Sequence, residues 1–136
     1  MEKEIVYIKK VNNDLTTIEA VYGQQSIGYI NYSIKSDRFG RNAWLYKIAV
    51  SEQFRGHGVG GSLLKIMEND CALARVWSIE GKYYPEGASN EEVSSFYKKH
   101  GFEIYKDGYE TLVGKTRPTR QNLSGLNIKE DMEMKR

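Results

Sequence analysis

The sequence predicts an α/β domain of the α+β type, with a mixed, mostly antiparallel central sheet and flanking helices. Three observations carry that expectation. Before residue 50 the chain holds four runs rich in β-branched and aromatic residues, separated by short turns, which together read as an antiparallel meander. From Tyr46 to Ala74 it reads strand, glycine-rich loop, helix. After Gly101 two more strand-like runs are joined by Asp107-Gly108, a strong hairpin signal.

The elements follow in order. Glu4 to Val11 carries Ile5, Val6, Tyr7, Ile8 and Val11 and reads as the first strand, broken by Asn12-Asn13-Asp14. Thr16 to Tyr22 is the second, Gly23-Gln24-Gln25 a turn, and Ser26 to Ile34 the third. A polar loop with Gly40 leads to the fourth strand, Ala43 to Val50. A helix over Val59 to Leu73 and a strand over Arg75 to Glu80 come next, then a loop from Gly81 to Ser89 that carries Tyr83, Tyr84 and Glu86. Ser89 with Glu92 forms a capping box that starts a helix near Asn90, and Gly101 is placed to end it. Phe102 to Lys106 and Tyr109 to Lys115 close the sheet, so residues 1–118 form one domain. Residues 119–136, with a short helix near Ile128 to Met134, read either as a polar tail or as an element that docks on a partner subunit, as in a homodimer.

A chain of 136 residues supports one modest core. A net charge of +2 and 28% charged residues give no basic stripe of the kind that marks a nucleic-acid binder. No apolar run reaches the length of a membrane span, and no leader-like segment stands at the start, so a cytoplasmic protein without a membrane partner is expected. The single cysteine, Cys71, falls on an apolar stripe with Val59, Leu63 and Met67. It reads as core rather than nucleophile, and no metal cluster is expected. His57 and His100 read as a loop residue and a cation complementing a helix C-terminus.

The glycine-rich loop Arg55-Gly56-His57-Gly58-Val59-Gly60-Gly61 opens a helix, where backbone N–H groups and the helix dipole favour an anion, usually phosphate. Glycines keep side chains from holding that phosphate off the backbone. A nucleoside-triphosphate loop would need a lysine before Ser62, and Gly61 stands there. Gly56, Gly58 and Gly61 formally spell a dinucleotide fingerprint, with Glu80 downstream. But Ser51 to Phe54 separate the loop from the strand, and the residues that follow are too few for a second mononucleotide half.

The third phosphate ligand is coenzyme A. Arg55-Gly-His-Gly58-Val-Gly60 after a strand resembles the R-x-x-G-x-G/A pyrophosphate loop of the GNAT superfamily of acyl-CoA N-acyltransferases. Asn90 to Phe102, N-E-E-V-S-S-F-Y-K-K-H-G-F, is similar to that family's N-x-x-A-x-x-L-Y-x-x-x-G-F helix and strand. The resemblance runs from Tyr46 to Phe102 in the family order and implies a GNAT-like fold. It departs from the family at one place: two helices usually lie between the first two strands and wall the acceptor cleft, whereas here only a few residues do.

What the resemblance implies can be set out by residue. Arg55, Gly56, His57, Gly58, Val59, Gly60 and Gly61 would bind the cofactor's pyrophosphate, and Ile48, Ala49 and Val50 would pair with the pantetheine amides like an added strand. A backbone N–H there could also face the thioester oxygen. Asn90 matches a polar contact to the pantetheine arm, and equally a residue favoured at a helix start. Tyr97 matches the phenol that protonates the leaving thiolate; a phenol of pKa ~10 stays protonated at neutral pH. Glu80 is similar to one position of a catalytic glutamate serving as general base, with ordered water or Glu86 as substitutes. Tyr83 and Tyr84 either line the acceptor entrance or cover a sheet edge.

The function implied is acetyl transfer from acetyl-CoA to a primary amine by direct attack in a ternary complex, with no metal. The alternative is a non-catalytic CoA-binding or regulatory module on the same fold. The acceptor is an amine-bearing small molecule, a peptide or a protein; nucleic acid is disfavoured, although an aminoacyl-tRNA stays open.

Overall fold

Asn13 and Asp14 alone separate the first two strands, β1 (Ile5–Asn12) and β2 (Leu15–Tyr22), which pair antiparallel from Ile5 opposite Tyr22 to Asn12 opposite Leu15. A helix needs several turns to be stable, so none fits there. The computed structural model describes residues 4–84 and 88–131. The meander continues through β3 (Gln25–Asp37) and β4 (Gly40–Val50). A short 3-10 turn at Glu52–Phe54 leads to α1 (Val59–Leu73), β5 (Val76–Lys82) and α2 (Asn90–Lys99). The chain ends with β6 (Glu103–Asp107), β7 (Glu110–Thr116) and β8 (Asn127–Glu130). The eight strands form one sheet in the order β6-β7-β5-β4-β3-β2-β1-β8, antiparallel except for β4–β5 and β1–β8.

α1 is the crossover between the parallel strands β4 and β5, and it lies across β2 to β5. Its Val59, Leu63, Leu64, Met67 and Cys71 are buried against Ile18, Ile30, Tyr32, Leu45 and Ile79. Two carboxylates fix its angle to the sheet. Asp70 accepts the Tyr32 hydroxyl at 2.5 Å and pairs with Lys9 at 2.8 Å. Glu68, buried, pairs with Lys115 at 2.8 Å and accepts the backbone N–H of Thr119 at 2.8 Å.

Three details differ from expectation, the first being that the polar loop before Ala43 is mostly strand, with Lys35 opposite Asn42 and Asp37 opposite Gly40, because antiparallel pairing carries β3 and β4 on past their apolar residues. The β6–β7 turn occupies Gly108 and Tyr109, since Asp107 pairs with Glu110; glycine at its first position supplies the positive φ of 66° that a two-residue hairpin uses. The helix expected near Ile128 is instead the strand β8, running parallel to β1 with Val6 opposite Asn127. The outer edge of β1 otherwise presents unpaired backbone groups, and pairing satisfies them where a helix of one or two turns would not hold. Met134 lies outside the described residues.

Strand register also creates the opening described next. β4 and β5 stay paired only as far as Leu45 and Gly81. A Cβ on Gly81 would stand 2.5 Å from the Leu45 carbonyl, so the last pair before the strands part admits only glycine. Tyr46 is an extra residue in β4, because Asn31 pairs with Lys47 and Tyr32 with Leu45. Beyond this bulge β4 keeps β3 on one side and has no β5 partner on the other.

Candidate functional site

The parting of β4 and β5 opens a cleft of about 700 Å³ whose walls are Leu45–Val50, the loop and first turns of α1, and one face of α2. Ile48, Ala49 and Val50 lie along it, with one edge of their backbone unpaired with β5. Of the loop, Arg55, Gly56, Gly58, Val59, Gly60 and Gly61 line it, whereas His57 is exposed outside it.

Gly56 and Gly58 both have φ of 83°, and nothing stands within 4 Å of where a Cβ would be. No side chain caps the N-terminus of α1, and the first helical bond runs from Ser62 to Gly58, so the N–H groups of the opening turn face the cleft end free of a side-chain cap. Gly60 and Gly61, which line the cleft, also meet a packing constraint that their sequence position does not reveal. A Cβ on Gly60 would meet the Phe96 ring at 3.2 Å, and one on Gly61 would meet His100 at 3.1 Å. These two glycines let α2 close on α1. Arg55 donates from Nε to the Val50 carbonyl at 3.1 Å, tying the loop to the end of β4. Lys65, Lys99 and Lys82, the last paired with Glu110 at 3.0 Å, also line the cleft, where Glu92 is the one carboxylate among the described residues of the lining. The cleft is therefore electropositive.

The Ser89–Glu92 capping box forms as expected, with Glu92 N–H donating to Ser89 Oγ at 3.0 Å and Ser89 N–H to Glu92 Oε1 at 3.1 Å. It sets the register of α2, and that register turns Tyr97 inward, 5% exposed, onto the cleft wall. The Tyr97 ring packs edge-on to Phe96 at 5.4 Å and lies 5.9 Å from Phe102 and 6.3 Å from Tyr83. Burial, with Tyr83 adding a smaller push, raises its phenol to about 12. Among the described residues its hydroxyl has no hydrogen-bond partner.

The other expected residues are distributed unevenly. Tyr84 lines the cleft, half exposed, while Tyr83 is drawn into the wall, its hydroxyl held by Asn90. Asn90 does not line the cleft; its side-chain oxygen is taken by Tyr83. Glu80 lies outside the cleft lining, on the sheet face away from α1, where it accepts the Tyr105 hydroxyl. It is nevertheless the residue before Gly81, directly beneath the point where the strands part. Glu86 lies outside the described residues.

His100 differs from expectation. It is half buried in the cleft wall, edge-on to Phe96 at 5.1 Å. Burial first, then Lys99, Lys65 and Lys115, lowers its pKa, so it is a neutral imidazole and not a cation on the helix end. Phe96 and Lys65 were not singled out in the sequence, although Phe96 sits directly before Tyr97 in the motif and Lys65 lies one helical turn past Gly61. Among the described residues no three metal-ligating side chains stand together, and no helix is long and apolar enough to cross a membrane.

Comparison with known proteins places this geometry. A family model described as an acetyltransferase (GNAT) domain matches residues 13–104. A search of curated proteins gives no match. Among solved structures, Arabidopsis thaliana Naa50 in complex with the bisubstrate analogue CoA-Ac-MVNAL is 24% identical, with a TM-score of 0.63 over 74% of this chain and 72% of that one. The PaiA N-acetyltransferase from Thermoplasma acidophilum, in complex with coenzyme A, is 21% identical, with a TM-score of 0.63 over 76% of this chain and 61% of that one. An acetyltransferase from Thermus thermophilus is 24% identical, with a TM-score of 0.60 over 80% of this chain and 67% of that one.

Proposed function

The chain belongs to the GNAT acetyltransferase family, and on that premise we propose that it transfers an acetyl group from acetyl-CoA to a primary amine by direct attack in a ternary complex. The observation that carries this reading is the cleft itself: an unpaired strand edge, a bare helix N-terminus and a buried phenol meet in one electropositive space. Acetyl-CoA, when bound, supplies an activated thioester.

The residues fit that group. Gly56, Gly58 and the opening turn of α1 would hold the pyrophosphate through backbone N–H groups, since space for it is already empty of side chains. The free edge of Ile48, Ala49 and Val50 would pair with the pantetheine amides. Bound coenzyme A in the PaiA structure supports the assignment.

Tyr97 keeps its hydrogen at any working pH, because its phenol stands near 12. Against a free thiol of pKa ~8.5, full proton transfer from such a phenol would cost about 5 kcal/mol. The apolar wall that raises the phenol also penalises a bare thiolate, which narrows this gap. Tyr97 thus acts first as a hydrogen-bond donor to the departing sulfur, with the proton following as charge builds. Glu80, on the open face beneath the fork and accepting the Tyr105 hydroxyl, would take the proton of an acceptor ammonium through water. The Cys71 thiol, buried and raised to about 12, offers no nucleophile for a covalent route.

The test is release of free CoA thiol from acetyl-CoA against a panel of small amines, peptide N-termini and lysine peptides, for wild type and Tyr97→Phe. Amine-dependent release that falls about 100-fold or more in the variant supports the reading. Tight CoA binding without release on any acceptor would favour a CoA-binding module instead.

A further inference from the structure

At the end of the sheet far from the cleft, four arginines scattered in the sequence come together: Arg38 in the β3–β4 turn, Arg41 opening β4, Arg75 before β5 and Arg117 after β7. Arg41 is the register partner of Val76, and the Arg117 N–H donates to the Trp77 carbonyl at 2.7 Å. All four therefore sit on neighbouring strand ends. Each is exposed, and among the described residues none is paired with a carboxylate. Asp37, the acid in the same turn, accepts the N–H of Phe39 at 2.8 Å.

Two aromatic rings stand among these charges. Phe39 is 86% exposed, with the Arg38 guanidinium 5.8 Å from its centroid, and Trp77 is 53% exposed, with the Arg117 guanidinium 4.9 Å above it. Arg75 and Arg117 also hold left-handed backbone, with φ of 61° and 53°, where glycine would fit at less cost. The left-handed backbone of Arg75 closes the C-terminus of α1, its N–H donating to the Ala72 carbonyl at 3.1 Å, whereas the exposed rings are what a solvated surface does not need.

We propose that this patch binds single-stranded nucleic acid. Among the described residues none of the four guanidiniums has a carboxylate partner, Arg41 donating one Nη–H to the Ala74 carbonyl at 2.9 Å, so they match phosphates. The exposed rings beside them match unstacked bases, a combination that tolerates many sequences. An acidic peptide or an anionic lipid surface would satisfy the charges and leave the two rings without a stacking partner. α1, with 15 residues, spans roughly 22 Å between the cleft and this end, so both sites can be filled at once. The proposal does not depend on acetyl transfer, and thiol release reads the cleft alone.

The probe is a labelled, mixed-sequence single-stranded RNA of about twenty nucleotides, followed by anisotropy, with Trp77 fluorescence read in a Trp44→Phe background where it is the remaining indole. Binding should weaken about 50-fold between about 50 and about 200 mM salt, as four phosphate contacts on a single strand require. RNA should quench Trp77, and Trp77→Ala should weaken binding about tenfold. Arg38→Gln should flatten the salt dependence by about one contact. CoA affinity in both variants should match wild type and show that they are folded. Should Trp44→Phe not fold, anisotropy on the other two variants decides. The proposal is overturned if RNA does not bind, if both variants bind as wild type does, or if polyaspartate or anionic vesicles bind as tightly as RNA.

Discussion

Tyr83 donates its hydroxyl to Asn90, at 2.7 Å to the side-chain oxygen and 2.9 Å to the main-chain oxygen, across the first turn of α2. The asparagine at the helix start is thereby used to brace a tyrosine, and that tyrosine leans on Tyr97. Asn90→Ala is expected to lower kcat several-fold while leaving the KM for acetyl-CoA within about twofold, with about 1 kcal/mol lost from stability. A rise in that KM alone would instead place Asn90 on the pantetheine arm. Steady-state kinetics with acetyl-CoA varied makes the distinction.

The glycines of the loop should separate into two classes. Gly60→Ala and Gly61→Ala put a methyl against Phe96 and His100 and should cost about 1–3 kcal/mol through displaced packing of α2. Gly56→Ala meets no atom but must hold a φ of 83°, so its stability loss should be nearer 1 kcal/mol and its main effect on CoA affinity. Thermal melts paired with CoA titrations read both quantities.

His100 gives a signed pH dependence. Its folded pKa is lowered, so as pH falls the unfolded chain takes up the proton first, and stability is lost through and below the ordinary histidine value of about 6.5. Melting temperature should therefore drop between about pH 7.5 and about pH 5.5, a window above carboxylate titration. His100→Asn should flatten that slope. An unchanged slope would show that folding does not shift the titration of this imidazole, and a steeper one that folding favours its charged form.

Lys115 and Glu68 form a pair that resists single changes. Lys115→Met leaves the Glu68 carboxylate buried without its cation and should cost about 3 kcal/mol or more. Adding Glu68→Gln should recover part of that loss, because an amide removes the buried charge and still accepts the Thr119 N–H. Urea denaturation of both variants measures the coupling.

Most of the fold is legible in local sequence. The capping box at Ser89 and the apolar stripe of α1 each act within a few residues, and β1 to β7 come in the expected order, though the β3–β4 and β6–β7 turns fall at other residues. Tyr97 was equally legible, since a helix motif fixes its own register. What stayed hidden depends on partners far away in the chain. β8 exists because the edge of β1 needs pairing, and Gly60 is glycine because of Phe96. The neutral state of His100 comes from burial, and the arginine patch from the coming together of four turns and strand ends. No window of adjacent residues carries these facts.

The pairing of β8 with β1 sets a schedule for biosynthesis. Val6 meets Asn127, so β1 waits for its second partner until synthesis has passed β7 and reached β8. Until then the meander carries a bare edge, a template for pairing with another nascent copy. Lys9 and Lys10 of that strand are by then paired with Asp70 and Glu19, so the edge is guarded by little charge of its own until β8 covers it.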